Sequence, residues 1–459
     1  MELKGKKVLV VGLGKSGLAA ALFARRRGAQ VTVSDQRSAD ALAKEIPALL
    51  EAGIAVETGG HGLLTFRRQD LIVVSPGVPF DTPELVQVRS FGLPVIGELE
   101  LAAQFLQGRI LAITGSNGKT TTTALCGEIF QASGARTLVG GNIGTPVIEL
   151  VERSQPDAWS VLEVSSFQLE TTQSFHPQIA AILNVTPDHL DRHGAFSNYA
   201  AMKEKIFANQ TADDFLVLNA DDPVVQQAAS RAHSQIFWFS RTKIVRRGAF
   251  VVNDMLVFRS SEQSSPEPVL PLSAIPLKGQ HNVENVLAAV CAGRLAGIHT
   301  EGIARAVKSF RAVEHRLEFV ASIRGVDYYN DSKATNVDAA AKAIESFPGN
   351  IHLILGGKDK DSDYTQLSAL LKKRVKAVYT IGAAAEKIEG QIGGITALWH
   401  AGTLAAAVAR AAETAASGDV VLLAPACSSF DQFENYEHRG RVFKELVLSL
   451  RGAGAWQNA

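Results

Sequence analysis

Two stretches of this chain set an apolar, β-rich run against glycines and the start of a helix, the combination that holds phosphate. In ITGSNGKTT, residues Gly115, Ser116, Asn117, Gly118, Lys119, Thr120 and Thr121 follow such a run. Only two residues separate the glycines, against four in the standard P-loop, so the spacing departs from that pattern. The chemical parts are nevertheless present: backbone N–H groups to cradle phosphate, Lys119 to reach terminal phosphoryl oxygens, and the hydroxyl of Thr120 or Thr121 for Mg²⁺. The other stretch, VGLGKSG, places Gly12, Gly14 and Gly17 as G-x-G-x-x-G, with Asp35 at the end of the next β-rich run. Read alone, it is a dinucleotide cradle of the dehydrogenase type, a seat for another nucleoside diphosphate, or a turn that packs strand on helix.

A nucleoside triphosphate brings a metal ion with it, and hard ligands are expected at later strand ends. Glu163 in SVLEVSSFQLE stands at one such end. Asp188, His189, Asp191 and His193 in NVTPDHLDRH follow another. Four titratable groups within six positions after a buried strand mark a site more than a surface. The three cysteines, Cys126, Cys291 and Cys427, are widely spaced in apolar surroundings, which fits reduced thiols and neither a disulfide framework nor a zinc site.

These residues need a scaffold of alternating strands and helices. The runs KVLVVG, QVTVSD, DLIVVSPG and LPVIGE form a first α/β unit, and RILAIT, AWSVLEVS, IAAILN and DFLVLN a second. The second unit closes on the helical pattern HNVENVLAAVCAGRLAG, with Gly297 as its C-cap, and is interrupted by SSEQSSPEPVLP, expected as a surface loop. A third unit holds VDYYNDS, IHLILGG, KAVYTIG and DVVLLAPA, with an Ala-rich packing helix over Leu404–Ala416. The expectation is an α/β protein of three domains, 1–97, 98–312 and 313–459, with ligands at the carboxyl ends of the strands. A length of 459 residues agrees with about three domains. The 46 basic and 46 acidic side chains give no footprint for nucleic acid or an anionic membrane. The glycines that interrupt the first apolar run, and the arginines after it, argue against an export signal, so a cytoplasmic location is expected.

Taken in order, ITGSNGKTTT, EVSSFQLE, NVTPDHLDRH, HNVENVLAA, EHRLE, NDSKATN and PACSSFDQFENYEHRG resemble the Mur ligases of bacterial peptidoglycan synthesis over essentially the whole chain. SPGVP, DSKATN and PACSSFDQF are similar to the D-glutamate-adding branch, and the Asp-Asn-Pro-Arg signature of the diaminopimelate- or lysine-adding relatives is absent. The resemblance implies Rossmann-like first and third domains around a P-loop-type ATPase domain with a mainly parallel sheet. It also implies an ATP-dependent ligase, monomeric, joining D-glutamate to UDP-N-acetylmuramoyl-L-alanine through an acyl phosphate.

The same resemblance implies the residue roles. Lys15, Ser16, Asp35, Gln36 and Arg37 surround the UDP, with Ser75 and Asn142 facing the muramoyl and phosphate portion. The 115–121 loop holds ATP, with Asn285, Arg316 and Asp331 at its base, ribose or phosphates. Two Mg²⁺ sites are implied, one on Thr120 and Glu163 and one using His189, together with a CO₂-derived carbamate on Lys203 rather than Lys205. Lys333, Thr335, Lys360, Ser429, Phe430 and Tyr436 form the D-glutamate pocket, where Lys358 is the rival to Lys360 and Tyr436 stands in place of Phe. From the residues alone, Asn282 and Asn285 could be polar surface or a cap, and Lys203 a solvated helix lysine.

Overall fold

The computed structural model describes residues 1–311 and 313–453. Val/Ile/Leu runs too apolar for a half-exposed strand become the central strands of three separate sheets, covered by helices. The first sheet holds β1 (Lys7–Val11), β2 (Gln30–Asp35), β3 (Ala55–Thr58), β4 (Leu71–Val74) and β5 (Val95–Gly97) in the order β3-β2-β1-β4-β5, all parallel. The strand order reverses between β1 and β4, which opens a crevice beyond their carboxyl ends.

The second sheet comprises β6 (Arg109–Thr114), β7 (Thr137–Gly141), β8 (Trp159–Glu163), β9 (Ile179–Ile182), β10 (Phe215–Asn219), β11 (Gln235–Ser240), β12 (Gly248–Val252), β13 (Met255–Arg259) and β14 (Glu267–Pro271). Its order is β14-β13-β12-β11-β10-β9-β6-β8-β7. Pairing is parallel from β7 to β12 and antiparallel across β12–β13 and β13–β14. The stretch expected as a surface loop is therefore part strand: Glu267–Pro271 is the sheet's edge, which tolerates Pro268 and Pro271, and Leu270 turns inward. The helix Gln280–Leu295 ends as expected at Gly297, whose φ is +87°, with the Ile298 N–H returning to the Gly293 carbonyl.

The third sheet holds β15 (Glu318–Ile323), β16 (Val326–Asn330), β17 (Ile351–Gly356), β18 (Val375–Ile381), β19 (Ala397–Gly402) and β20 (Val420–Leu423) in the order β15-β16-β20-β17-β18-β19. Only β15 runs antiparallel to its neighbour. The Ala-rich helix spans Leu404–Thr414 and buries Leu404, Ala407, Val408 and Ala411. By their internal contacts the residues group into two compact units. One is Met1–Ala274 with Glu284–Ser309, and the other is Ile275–Val283 with the residues from Phe310 onward.

Candidate functional site

At the switch point of the first sheet, Gly12 turns with φ +88°, and a side chain at Gly17 would place its Cβ 1.9 Å from the Gly12 carbonyl oxygen. These glycines let the turn approach the start of the helix Lys15–Arg26, whose first turn carries no acidic residue, a favourable end for an anion. Ser75 lies beneath the turn and donates to the Gly12 carbonyl at 2.7 Å. A cavity of about 280 Å³ opens here, with Gly12, Asp35, Gln36, Arg37 and Ser75 on its walls. Asp35 lies on this wall with its oxygens engaged by neighbours. Its oxygens accept the backbone N–H groups of Leu13 (2.6 Å) and Arg37 (2.9 Å) and the Arg37 guanidinium through Nε (3.0 Å) and Nη2 (2.9 Å). Burial raises its pKa, but the bonds from Arg37 and Leu13 outweigh that and hold it at about 2. Lys15 donates its ammonium to the Gly144 carbonyl, and Ser16 lies half-buried beside it.

The loop after β6 is fixed from below. Gly118, with φ +87°, precedes the helix Lys119–Ala132, whose first turn is again free of acidic residues. Asn184, just past β9, accepts the Asn117 N–H at 2.8 Å and donates to the Asn117 carbonyl at 3.0 Å. Ser116 donates to the Thr186 carbonyl, 2.9 Å away, and lies 3.0 Å from the Tyr199 hydroxyl. A Cβ at Gly118 would meet Asn285 Oδ1 at 2.2 Å, so buried Asn285 sits against the loop and is neither surface nor cap.

Two lysines converge on this loop. Lys119 Nζ donates to the Gly115 and Ser116 carbonyls, each at 2.8 Å, and Lys203 Nζ donates to the same Gly115 oxygen at 2.8 Å. Lys203 is 1% exposed and its ammonium lies 4.4 Å from the centre of the Tyr199 ring. Burial, then the like charge of Lys119, hold its pKa well below the usual lysine value against the pull of Asp188. Lys203 is thus no solvated helix lysine. Lys205 instead donates to the Glu170 carbonyl. Glu163 ends β8 beside this loop and accepts the Asn142 side-chain amide at 3.1 Å. His189 has φ +53°, and its Nε2 lies 3.7 Å from Asp188 Oδ2. His193 packs on Phe167 and lies 3.0 Å from Ser166 Oγ, while the Asp191 side chain falls outside the described set.

In the third sheet, the loops after β16, β17 and β20 meet at adjacent strand ends. Lys333 lies 3.7 Å over the Tyr436 ring, and Thr335 donates its N–H to the Lys333 carbonyl. The backbones of Lys358 and Ser428 pair as a bridge, which leaves the Lys358 side chain exposed and Lys360 half-buried. Ser429 is 2% exposed and Phe430 68% exposed. Asp331 is buried after β16. Burial raises its pKa to about 7, against the nearby Arg316 charge and the Leu317 N–H.

Residues 6–97 match the Mur ligase MurD-like N-terminal domain, 113–293 the Mur ligase middle domain, and 315–427 the Mur ligase glutamate ligase domain. A relative from Acidobacterium capsulatum, named UDP-N-acetylmuramoylalanine–D-glutamate ligase, is 72% identical over 459 residues, all of both chains. One of the same name from Koribacter versatilis is 61% identical over 98% of this chain and 99% of its own. The chain belongs to the Mur ligase family. Among solved structures, this Mur ligase resembles UDP-N-acetylmuramate-alanine ligase from Thermotoga maritima (TM-score 0.60, 19% identity, 97% of this chain and 99% of that one). It likewise resembles MurF ligase of that organism in complex with ADP (TM-score 0.61, 17% identity, 98% and 96% coverage). At these identities the likeness is one of fold.

Sequence reasoning missed several residues that shape the candidate sites of this Mur ligase. Asn184 follows a buried strand in a motif read for its later Asp and His, and nothing in its type announced the two hydrogen bonds to the Asn117 backbone. Arg439, in the helix Tyr436–Ala453, is wholly buried. It reaches Ser332 Oγ (3.0 Å) and the carbonyls of Ser332 (2.9 Å), Cys427 (3.1 Å) and Ser428 (3.3 Å). Arg192 donates to the Val78 carbonyl at 2.9 Å and to Glu170 at 2.8 Å, joining the SPGVP segment to SSFQLE.

Proposed function

We propose that this chain is an ATP-dependent ligase that adds D-glutamate to UDP-N-acetylmuramoyl-L-alanine, forming an amide in peptidoglycan precursor synthesis. The observation that carries this reading is the 72% identity to the Acidobacterium capsulatum relative, over an alignment that covers the third sheet as well as the 115–121 loop. The working domains are 1–97 for the sugar nucleotide, 98–312 for ATP and 313–459 for the amino acid, and the enzyme acts as a cytoplasmic monomer. Among the described residues, no helix is long and apolar enough to cross a membrane.

A carboxylate does not react with an amine, so its oxygen is first activated. An alanyl carboxylate oxygen takes the γ-phosphoryl group of ATP, releasing ADP. The D-glutamate nitrogen, having lost a proton, then bonds to the acyl carbon, and the C–O bond to phosphate breaks. Positioning and charge neutralisation supply most of the acceleration. Lys119, with the N–H groups of 115–121, holds the terminal phosphoryl oxygens and offsets their charge. Asn285, Arg316 and Asp331 meet the base and ribose of the nucleotide or its phosphates. The hydroxyl of Thr120 and the carboxylate of Glu163 are hard oxygen donors suited to Mg²⁺, and His189 with a carbamylated Lys203 suits a second ion near the acyl group. Mg²⁺ supplies charge compensation on phosphate and carbonyl oxygens. Lys333, Lys360, Thr335 and Ser429 meet the two carboxylates of D-glutamate, with Phe430 and Tyr436 closing the pocket. Lys15, Ser16, Asp35, Gln36 and Arg37 take the UDP, and Ser75 and Asn142 lie toward its muramoyl and phosphate portion.

The test is phosphate release from ATP and Mg²⁺ with the sugar nucleotide, comparing D-glutamate, L-glutamate and other amino acids. Release that requires both UDP-N-acetylmuramoyl-L-alanine and D-glutamate, and is lost in Lys119→Ala, is the expected result. Release with another amine would overturn the substrate, and release independent of any amine would overturn the ligase reading.

A further inference from the structure

The cavity over the first glycine turn has one more polar wall, and no motif of the sequence drew attention to it. His61 follows β3 and faces the cavity with Gln36 and Arg37. Its Nδ1 lies 2.7 Å from the hydroxyl of Ser34, which is 0% exposed on β2, and its ring stands edge-on to buried Phe66, 5.6 Å away at 67°. A histidine held from two sides at the rim of a ligand cavity is set in orientation before any ligand arrives.

The pairing with Ser34 accommodates the tautomer that serves the cavity. The Ser34 hydroxyl carries a single proton, and the Gly60 carbonyl lies 3.4 Å away to accept it. With that proton directed to Gly60, Nδ1 carries the ring proton and donates it to Ser34 Oγ, so Nε2 is left as an acceptor for the cavity. On the neighbouring wall, Arg37 offers only donors, held in one plane by Asp35. The Asp35 oxygens on the same wall already accept from Leu13 and Arg37.

An acceptor beside donors matches the edge of uracil, where the N3–H donor stands between two carbonyl acceptors. Cytosine presents a lone pair at N3, which would face the Nε2 lone pair. We propose that His61, oriented by Ser34 and Phe66, determines specificity for the nucleobase by accepting the N3–H of a uracil ring. This rests on the reading of the cavity as the UDP-sugar site.

The test titrates UDP and CDP into the full-length protein by calorimetry, with the ATP site filled by a non-hydrolysable analogue. Wild type is compared with His61→Phe, which keeps the ring packing, and His61→Gln, which restores an acceptor. The expected result is that wild type favours UDP over CDP. His61→Phe weakens UDP roughly tenfold, the scale of one well-placed hydrogen bond, with CDP little changed, and His61→Gln recovers part of the preference. For the sugar nucleotide, the His61→Phe loss falls on KM more than on kcat. A folded His61→Phe protein that keeps the full UDP preference overturns the role of His61. Wild type that binds UDP no better than CDP overturns it as well, whereas wild type that binds neither overturns the nucleotide reading beneath it, a separate and distinguishable failure.

Discussion

Lys203 offers the sharpest test of the ATP-site chemistry. Its ammonium and that of Lys119 each lie 2.8 Å from one carbonyl oxygen, so twice 2.8 Å, or 5.6 Å, is the most that can separate the nitrogens. At an effective dielectric of about 20, two unit charges at that distance repel by about 3 kcal/mol. Burial and this repulsion favour the uncharged amine, the form that attacks CO₂. Conversion to a carbamate would replace repulsion by an attraction of similar size and would add an oxygen ligand for a cation. Removing the group in Lys203→Ala forfeits about 3 kcal/mol of that attraction, or roughly a hundredfold in kcat. A small carboxylate such as formate or acetate fits the space left by the side chain and should restore part of the rate. Lys203→Met should leave the thermal midpoint unchanged or higher, because it removes a buried amine with a desolvation cost. The assays are phosphate release with and without added carboxylate, and ¹³C NMR of protein exposed to labelled bicarbonate. Full activity in Lys203→Ala, or no carbamate resonance together with no rescue, would refute the reasoning.

Other residues give independent checks. Asp331 has a folded pKa of about 7 against an ordinary 3.8, so between those values the folded state binds more protons and stability falls as pH rises. Asp331→Asn should therefore raise the thermal midpoint at pH 8 and lose that advantage near pH 4, while ATP affinity drops; a midpoint gain that does not vary with pH would count against it. Asp35 has the opposite sign. Its folded value of about 2 lies below 3.8, so its contribution is present above pH 4 and lost as pH falls toward 2, and Asp35→Asn should flatten acid unfolding monitored by fluorescence. Arg192→Ala removes the tie between Val78 and Glu170 and should raise the KM for the sugar nucleotide roughly tenfold, as expected for a hydrogen bond to a charged partner; an unchanged KM would assign Arg192 to packing alone.

The strands and glycine turns were legible because their signals are local. KVLVVG and RILAIT are too apolar for a surface, and Gly12 and Gly118 adopt the positive φ that their turns require. The edge strand Glu267–Pro271 was not legible. Two prolines and flanking serines read as loop, and its strand character comes from pairing with β13, a contact made in three dimensions. The burial of Lys203 was equally hidden, since M-K-E-K gives no sign of which lysine turns inward. Lys205, two residues on, reaches the Glu170 carbonyl instead. His61 escaped notice because a lone histidine after a short strand carries no motif, and its partner Ser34 lies on a different strand.

A common device ties these cases together. In each sheet, the loop expected to meet a ligand is held by a buried or half-buried polar side chain that bonds to the loop's own backbone. Asp35 takes the Leu13 N–H in the first, Asn184 clamps both polar groups of Asn117 in the second, and Arg439 gathers the carbonyls of Ser332, Cys427 and Ser428 in the third. A strand end leaves backbone groups unpaired, and a loop that must present N–H groups to phosphate or carboxylate cannot also satisfy them internally. The supporting side chain takes up the groups pointing away from the ligand and fixes those pointing toward it, so less ordering is left for the moment of binding. Asp35 reads in the sequence as a ligand residue, and Asn184 and Arg439 stand in motifs read for their other members, so the supporting role shows only once the chain is folded. Substituting one should weaken every ligand of its crevice together, whereas substituting a contact residue such as Lys119 or Lys333 should discriminate among them.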